Sequence, residues 1–281
     1  MKKLFALMIL GSIILGAASA NDLQKAKLFG KVHTLNEESW SAVQKFGEYV
    51  KGELLSKESF TYDGKGNLTE WSRYNADGSL DYKYIFTYDG KGNLTEKSDY
   101  KADGSLDYKD VFTYDNKGNL TEYSWYNADG SLENKYVYTY DNKGNLTEES
   151  SYQANGSLEN KHVYTYDGKG NLTEKSCYQA DGSLVFKDVY TYDNKGKKTE
   201  ESWYNADGSL DYKDVFTYDN KGNLTEWSHY DANRSLENKY TYEYDHWGNW
   251  IKQTKSIEVN KFGKVYLEPI EFVFRKITYY P

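Results

Sequence analysis

Hydrophobic and polar residues alternate along most of this chain in short runs of seven to nine residues. Residues 68–74 and 80–88 are two such runs, and both carry several Thr, Tyr, Phe or Ile side chains. A period of two is typical of β-strands, whereas an amphipathic helix needs a period near 3.6 residues. The pattern therefore predicts an all-β protein.

The dipeptide Tyr-Asp recurs with a constant period of 26 residues. A fixed period of this length is typical of a tandem array, in which the repeat is the structural unit. The eight copies with this spacing begin at Tyr62, Tyr88, Tyr114, Tyr140, Tyr166, Tyr192, Tyr218 and Tyr244.

Each repeat carries the same turn motif twice, for example at residues 62–68 and 74–80. Both segments contain Tyr, three turn residues, Gly, a polar residue and Leu. Asp or Asn at the first turn position and Gly at the fourth favour a type I turn, with Gly in the left-handed conformation. We therefore predict two antiparallel strands per repeat and one long, twisted and curled β-meander.

The turns also predict the register, because a hydrogen bond between Asn75 and Ser79 places Tyr74 opposite Leu80. The same register displaces each repeat by two residues, which implies strands tilted by roughly 35–45° and a sheet curled with its Tyr-rich face inward. The positions that hardly vary between repeats are then expected on the buried face, and the variable ones on the solvent face. The first group comprises Leu68, Glu70, Ser72, Tyr74, Leu80, Tyr82, Tyr84, Phe86 and Tyr88, and the second comprises Thr69, Trp71, Arg73, Asp81, Lys83, Ile85 and Thr87.

The first twenty residues resemble a secretory signal peptide rather than part of the fold. Lys2 and Lys3 precede an apolar run, and Ala18-Ser19-Ala20 is typical of a cleavage site. A membrane anchor is the alternative, but the apolar run is shorter than the ~20 residues of a spanning helix. We therefore expect an exported protein that is periplasmic, cell-surface or secreted.

The remaining chain is divided by the repeats into three parts. Residues 21–59 are predicted to form an N-terminal cap, 60–243 the repeat array and 244–281 a C-terminal cap. Caps are expected because a bare edge strand invites aggregation. The N-terminal cap should contain a short helix at residues 22–28, a strand at 30–40 and a turn at 46–48.

Composition narrows the class of protein. Aromatic residues make up 17% of the chain at regular spacing, which argues against disorder despite a mean hydropathy of -0.89. The net charge of -8 argues against a nucleic-acid partner. Cys177 is the only cysteine, so no intramolecular disulfide is possible, and its repeat equivalents are so varied that a structural role is favoured over a nucleophilic one.

The repeats resemble those of a known family. The core Tyr-Asp-x-x-Gly-Asn followed by Leu-Thr-Glu, as at residues 88–96, resembles the YD repeat of the RHS family over about residues 60–250. The hairpins are also similar to MORN-type repeats, and the C-terminal residues 248–280 are similar to the ending of small exported YD-repeat proteins of anaerobic bacteria.

The resemblance implies a β-hairpin shell that surrounds a cargo, or an array that binds carbohydrate. Two departures from the family are that no recognisable toxin domain follows the array, and that the period is longer than usual because each unit holds a second hairpin. We therefore expect a shorter curled sheet rather than a complete cargo shell.

Two repeats depart from the common pattern. Lys197 and Lys198 replace Asn-Leu in the sixth repeat, and Asn233-Arg234 replaces Asp-Gly in the seventh. Because Asn tolerates the left-handed conformation, the seventh-repeat turn could shift by one residue. Both departures are interpreted as drift rather than as function.

Carboxylates are the first candidates for chemistry, because the predicted register places three Glu-Asp pairs face to face. Paired carboxylates can bind a cation or share a proton. The alternative is hydrogen bonding to nearby hydroxyls, and a hydrolase would need one distinctive pair instead of three. The Asp-rich turns lack the ligand spacing of a calcium loop, so no catalytic residue, cofactor or metal site is predicted. The three pairs are Glu96 with Asp110, Glu174 with Asp188, and Glu200 with Asp214.

Tryptophans on the variable face are the strongest binding candidates, since an exposed indole can stack on a sugar ring. The alternative is that they pack against Lys stems and aliphatic neighbours. The candidates are Trp71, Trp125, Trp203 and Trp227.

These observations favour an exported, non-enzymatic scaffold for surface or periplasmic interactions, with a glycan or a cell-surface protein as its partner. Many weak, equal sites would give avidity. The alternatives are a purely structural envelope spacer and a hydrolase of cell-wall or host glycans.

Overall fold

The computed structural model describes residues 22–280, and in this part the protein is an antiparallel β-meander. The predicted signal peptide at residues 1–20 lies outside the described residues. The predicted fold class of tandem two-stranded repeats is confirmed. No helix among residues 22–280 is long and apolar enough to cross a membrane.

The elements follow the predicted repeat closely, and most array strands have seven to nine residues. One short helix precedes them. The elements are α1 (Asp22–Lys25), β1 (Val32–Lys45), β2 (Glu48–Tyr62), β3 (Leu68–Tyr74), β4 (Leu80–Tyr88), β5 (Leu94–Lys101), β6 (Leu106–Tyr114), β7 (Leu120–Asn127), β8 (Leu132–Tyr140), β9 (Leu146–Gln153), β10 (Leu158–Tyr166), β11 (Leu172–Gln179), β12 (Leu184–Tyr192), β13 (Lys198–Asn205), β14 (Leu210–Tyr218), β15 (Leu224–Asp231), β16 (Leu236–Tyr244), β17 (Trp250–Lys261) and β18 (Lys264–Tyr279).

The turns have the predicted geometry. In the first repeat, Gly66 N–H donates to the Asp63 carbonyl at 2.9 Å, and Gly66 has a φ of 84°. In the seventh repeat Arg234 takes the glycine position with a φ of 66°, and its N–H donates to the Asp231 carbonyl. The prediction that this turn shifts to Asn233 is therefore wrong, because Arg234 itself accepts the left-handed conformation.

The predicted register holds at the turns and fails just beyond them. Tyr74 faces Leu80 as expected, but the next pair is Arg73 with Tyr82, so Asp81 is left out of the ladder as a β-bulge. A side chain changes face with every one-residue slip. The predicted division into a constant buried face and a variable solvent face is therefore wrong.

The bulge recurs at both turns of a repeat, so the displacement between repeats survives. Glu70 lies opposite Ile85, and Ile85 lies opposite Ser98 on its other side. The repeat equivalent of Glu70 is Glu96, so each repeat is displaced by two residues, as predicted. Because successive turns carry the same bulge, the bulges do not alter the displacement between repeats, although each one changes which side chains lie on which face of the sheet.

The chain forms two compact units, and the first comprises, among described residues, 22–36, 58–163 and 277–280. Its core includes Leu23 of α1 and Leu28 after that helix, with Phe60 and Trp71 from the first strands of the array. Asp22 accepts hydrogen bonds from the Leu68 N–H at 3.0 Å and the Tyr88 hydroxyl at 2.5 Å. These contacts tie the N-terminal segment to the first repeat.

The second unit comprises residues 37–57 and 164–276. It contains β11 to β17 and most of the long terminal strands β1, β2 and β18. Arg275 of β18 forms an ion pair with Glu37 of β1 at 2.7 Å, and the Lys51 ammonium lies 3.8 Å from the centre of the Phe274 ring. The terminal strands are thus held to one another within this unit.

Candidate ligand-binding face and cavity

The four candidate tryptophans lie on the same sheet face as the ladder of Tyr and Phe residues from the neighbouring strands. Trp71 lies directly opposite Tyr84, and Trp227 lies opposite Tyr240. Trp71 is only 4% exposed, and Trp125, Trp203 and Trp227 are half-buried. The expectation that they lie on the solvent face is wrong, because the bulge moves them to the aromatic face.

Neighbouring rings cover the flat sides of two of these indoles, Trp71 and Trp227. Trp71 stacks between Phe60 at 5.7 Å and Tyr84 at 4.9 Å, measured between ring centres. Trp227 stacks between Phe216 at 6.3 Å and Tyr240 at 4.5 Å. Such stacks stabilise a sheet, and they occupy the surface on which a sugar would stack. Whether the tryptophans bind a ligand stays a prediction.

The nearly constant positions form a different surface, built from ion pairs. Glu96 accepts a hydrogen bond from Ser98 at 3.0 Å and pairs with Lys109 at 3.5 Å. Side chains of this Glu and Lys are about 40% exposed, whereas Ser98 is buried. The prediction that Glu96 faces Asp110 is wrong, since Val111 lies opposite it.

The other two predicted carboxylate pairs fail for the same reason. Glu174 lies opposite Val189, and Glu200 lies opposite Val215. The glutamate of the Leu-Thr-Glu position, or its equivalent, has a Lys partner on the neighbouring strand in each of the six repeats from the second to the seventh. The pairs are Glu96–Lys109, Glu122–Lys135, Glu148–Lys161, Glu174–Lys187, Glu200–Lys213 and Glu226–Lys239.

The variable positions on the aromatic face form cross-strand pairs whose chemistry changes from repeat to repeat. Because variable positions are usually exposed to solvent, this variation led to the prediction that these residues lie on the solvent face. The opposed residues are Trp71 and Tyr84, Lys97 and Asp110, Tyr123 and Tyr136, Glu149 and His162, Lys175 and Asp188, Glu201 and Asp214, and Trp227 and Tyr240.

In the first unit, Lys97 and Asp110 form a buried ion pair. Their nitrogen–oxygen distance is 2.8 Å, and the two side chains are 5% and 0% exposed. The Tyr123 hydroxyl donates to the second carboxylate oxygen at 3.0 Å, and the Lys97 ammonium also lies 4.8 Å from the centre of the Tyr84 ring. Each charge is thus paired, as a buried charge must be.

In the second unit, Glu201 and Asp214 lie directly opposite each other. Like charges in this position repel, so polar or cationic partners that offset the repulsion stabilise the pair. Lys198 supplies a cation to Glu201 at 2.5 Å, and His229 lies 2.7 Å from Asp214 through its Nδ1. Lys198 therefore compensates for Glu201, and its replacement of the usual Leu is not drift.

Asp188 adds a third carboxyl group to this cluster. It is 4% exposed, and burial together with the charge of Glu201 raises its pKa to about 6. One carboxyl oxygen, Oδ1, has no hydrogen-bond partner. The group can therefore hold a proton near neutral pH. Within residues 22–280, no three His, Cys, Asp or Glu side chains are arranged to hold a metal ion.

A cavity of about 400 Å³ opens beside the sixth-repeat departure. Its lining residues include Lys195, Lys197 and Lys221 together with Phe216 and Tyr218. In most other repeats an Asn occupies the position of Lys197 and closes the turn with a hydrogen bond to the turn Asp, as Asn223 does to Asp219 at 2.9 Å.

Lys197 instead reaches the neighbouring turn, where its ammonium donates to the Gly222 carbonyl at 3.3 Å. The remaining lining residues are Asp193, Thr199, Thr217, Asp219, Asn220 and Gly222. Sequence reasoning missed this cavity, although the signal was present: two adjacent lysines in an otherwise uniform array.

The repeats of this chain match a described family. The family model of the teneurin YD-shell matches residues 86–262, which is more than half of the chain. The chain belongs to the YD-shell family. The predicted YD/RHS-type resemblance is therefore confirmed.

Solved structures similar to this YD-shell protein share little of its sequence. A porin-like protein from Bacteroides uniformis is 11% identical with a TM-score of 0.47, and the alignment covers 88% of this chain and 98% of that one. The TcdB2-TccC3 structure is 14% identical with a TM-score of 0.30, covering 86% of this chain but 16% of that chain. A protein of unknown function from Bacteroides fragilis is 20% identical with a TM-score of 0.24, covering 52% and 92%. No curated protein matches this sequence at a significant level.

The YD motif has a clear structural role in this family member. The Asp63 carboxylate accepts hydrogen bonds from the Lys65 and Asn67 N–H groups at 2.8 and 2.9 Å, which holds the turn. In another repeat, the hydroxyl of the motif tyrosine Tyr192 donates to the Leu172 carbonyl at 2.9 Å, twenty residues earlier. The motif therefore shapes its own turn and clamps the preceding repeat.

Proposed function

We propose that this YD-shell scaffold is exported and non-enzymatic, and that it binds an acidic carbohydrate at the sixth-repeat cavity. The observation that carries the proposal is the lysine-lined cavity of about 400 Å³ at the point where the repeat departs from its pattern. Three lysines and two aspartates line the cavity, on a chain whose net charge is -8. A locally basic cavity on an acidic protein favours an anionic ligand.

The arrangement of the lining residues supports a uronic acid as the ligand. Asp219 is already used by its turn, where it accepts hydrogen bonds from the Asn223 and Lys221 N–H groups at 2.8 and 2.9 Å. These hydrogen bonds hold the pKa of its carboxyl below the usual value. Lys197 uses one of its three N–H donors on Gly222, which leaves two for a carboxylate. Tyr218, which also lines the cavity, provides apolar surface for a sugar ring.

A non-enzymatic role is favoured by the surroundings of the acidic cluster. Glu201 is held by the Lys198 ammonium, Asp214 lies 2.7 Å from the Nδ1 of His229, and Asp214 is buried. A glycosidase needs one carboxyl group that can donate a proton to substrate and one free carboxylate. A Glu201→Gln variant that abolishes measurable hydrolysis of an acidic glycan would reverse this part of the proposal.

Export is proposed from the basic start, apolar run and Ala18-Ser19-Ala20 of residues 1–20. The expected product after expression in a bacterium begins at Asn21 and is found outside the cytoplasm. Fractionation followed by intact mass measurement tests this directly. A full-length chain in the membrane fraction would support the anchor alternative.

Calorimetric titration of the protein with an oligogalacturonate tests the proposed ligand, with a neutral cello-oligosaccharide as the comparison. Binding of the acidic sugar alone is expected. Lys197→Asn restores the usual turn residue, so it should preserve the fold while lowering affinity by about tenfold or more. Lys143→Ala is the matched control, because Lys143 occupies the position of Lys195 in another repeat.

Three results would contradict the proposal in different ways. Equal binding of both sugars would remove the role of charge. Unchanged affinity in Lys197→Asn with a loss in Trp227→Phe would move the site to the tryptophans. No binding by folded protein would favour a purely structural spacer.

A further inference from the structure

Two hairpins of the second unit end in fully exposed phenylalanines. Phe46 joins β1 to β2, and Phe262 joins β17 to β18, each followed by Gly. Their relative exposures are 108% and 104%, so neither ring packs against the protein. Folding alone gives no reason for an aromatic ring at either position.

Both phenylalanines also adopt a backbone conformation that disfavours them. Their φ angles are 52° and 55°, and the following Gly47 and Gly263 are at 87° and 75°. A two-residue hairpin turn with positive φ at both positions prefers Asn-Gly. A residue kept in a conformation that it adopts poorly, with its side chain in solvent, indicates a use outside the fold.

The two tips lie at the same end of the terminal strands. Lys261, next to Phe262, forms an ion pair with Glu268, and Glu268 also accepts a hydrogen bond from Tyr49, three residues after Phe46. The hydrogen bond from Ser39 to Glu271 sets the same register further along the strands. The rings are therefore presented together rather than on opposite sides.

The exposed positions beside the two tips carry apolar side chains, lysines and one glutamate, Glu48, which follows Gly47. Lys45 precedes Phe46, and Lys264 follows Gly263, and both lysines are exposed. Val265, Tyr266 and Leu267 continue the exposed apolar surface from the second tip, with exposures of 61%, 48% and 45%. Aromatic rings that enter the headgroup region beside lysines that contact lipid phosphates are typical of interfacial membrane binding.

We propose that the paired tips at Phe46 and Phe262 dock on the surface of a bilayer that contains anionic lipids. A lipid surface suits this geometry better than a protein partner, because a stable protein interface buries about 800 Å² on each side. Two projecting tips offer isolated points of insertion, which a fluid bilayer accepts without a complementary groove.

Flotation of the mature protein with vesicles of phosphatidylglycerol and phosphatidylcholine tests the proposal, with pure phosphatidylcholine vesicles as the comparison. The wild type is expected to float with the anionic vesicles, and less with the neutral ones. The double variant Phe46→Asn/Phe262→Asn should lower the bound fraction by about tenfold or more. Asn-Gly is the preferred turn at these positions, so loss of fold cannot explain that result.

Trp247→Asn is the matched control. Trp247 is 57% exposed and lies in the turn before β17, at the opposite end of that strand from Phe262. Its substitution should leave flotation unchanged. Absence of wild-type flotation with either vesicle, persistence of flotation in the double variant, or an equal loss in Trp247→Asn would each overturn the proposal. Sugar binding at the sixth-repeat cavity should be the same in all these proteins.

Discussion

Replacing Lys97 by Met tests whether the aromatic face is a filled interior or a wet surface. The substitution keeps the length of the side chain and removes the charge that lies 2.8 Å from Asp110. Asp110 is 0% exposed, and in the variant it would keep the hydrogen bond from the Tyr123 hydroxyl but lose its ion pair. Breaking a buried pair from one side costs about 3–5 kcal/mol.

A second argument sets a ceiling on this loss. The abandoned carboxylate can take up a proton instead of staying charged. Protonating an ordinary aspartate at pH 7 costs about 4 kcal/mol, from a reference pKa near 3.9 and 1.36 kcal/mol per pH unit. We therefore expect Lys97→Met to lower the free energy of unfolding by about 3–4 kcal/mol at pH 7 and by about 1–2 kcal/mol at pH 5.

Urea unfolding followed by tryptophan fluorescence, at both pH values, measures these losses. The double variant Lys97→Met/Asp110→Leu should recover most of the stability, because no buried charge remains. Lys175→Met is the matched control: Lys175 has the same repeat position, but its ammonium lies 5.9 Å from the centre of the Tyr164 ring and its opposed residue is Asp188. A loss below about 1 kcal/mol for Lys97→Met, or equal losses for both lysines, would refute the buried-pair reasoning.

Three further predictions concern stability. Asp188 has a folded pKa of about 6 against a reference value of 3.8, so its ionisation weakens the folded state as pH rises from about 4 to 6. Asp188→Asn should therefore raise the free energy of unfolding by about 1–2 kcal/mol at pH 8. The urea midpoints of the variant and the wild type should converge below pH 4. Phe46→Asn and Phe262→Asn should each raise stability by about 1 kcal/mol, since a left-handed Phe is strained; a lower melting temperature would contradict this. Leu146→Ala should lower the free energy of unfolding by about 2–4 kcal/mol because Leu146 is 2% exposed. Leu172→Ala should lower it less because Leu172 is half-buried. Equal urea midpoints for the two variants would contradict that ranking.

The period, the strands, the turns and the stagger of the array could all be predicted from the chain alone. Each depends on local properties: alternation over seven to nine residues, and Asp and Gly at fixed turn positions. Even the two-residue displacement survived an error in register, because both turns of a repeat carry the same bulge. The candidate site was predicted less well, since the tryptophans were assigned to the wrong face.

Only the tertiary structure decided which face is buried and what fills it. A single unpaired residue after each turn, such as Asp81, exchanges the faces, and no local pattern reports it. The buried face is then filled by pairs such as Lys97 with Asp110, whose partners are 13 residues apart in the sequence. Each of these charges is stable in a buried position only because the other is present. Lys198 is a further example. In the sequence it is a departure from its repeat, but in the structure it pairs with Glu201, which lies opposite Asp214 on the neighbouring strand.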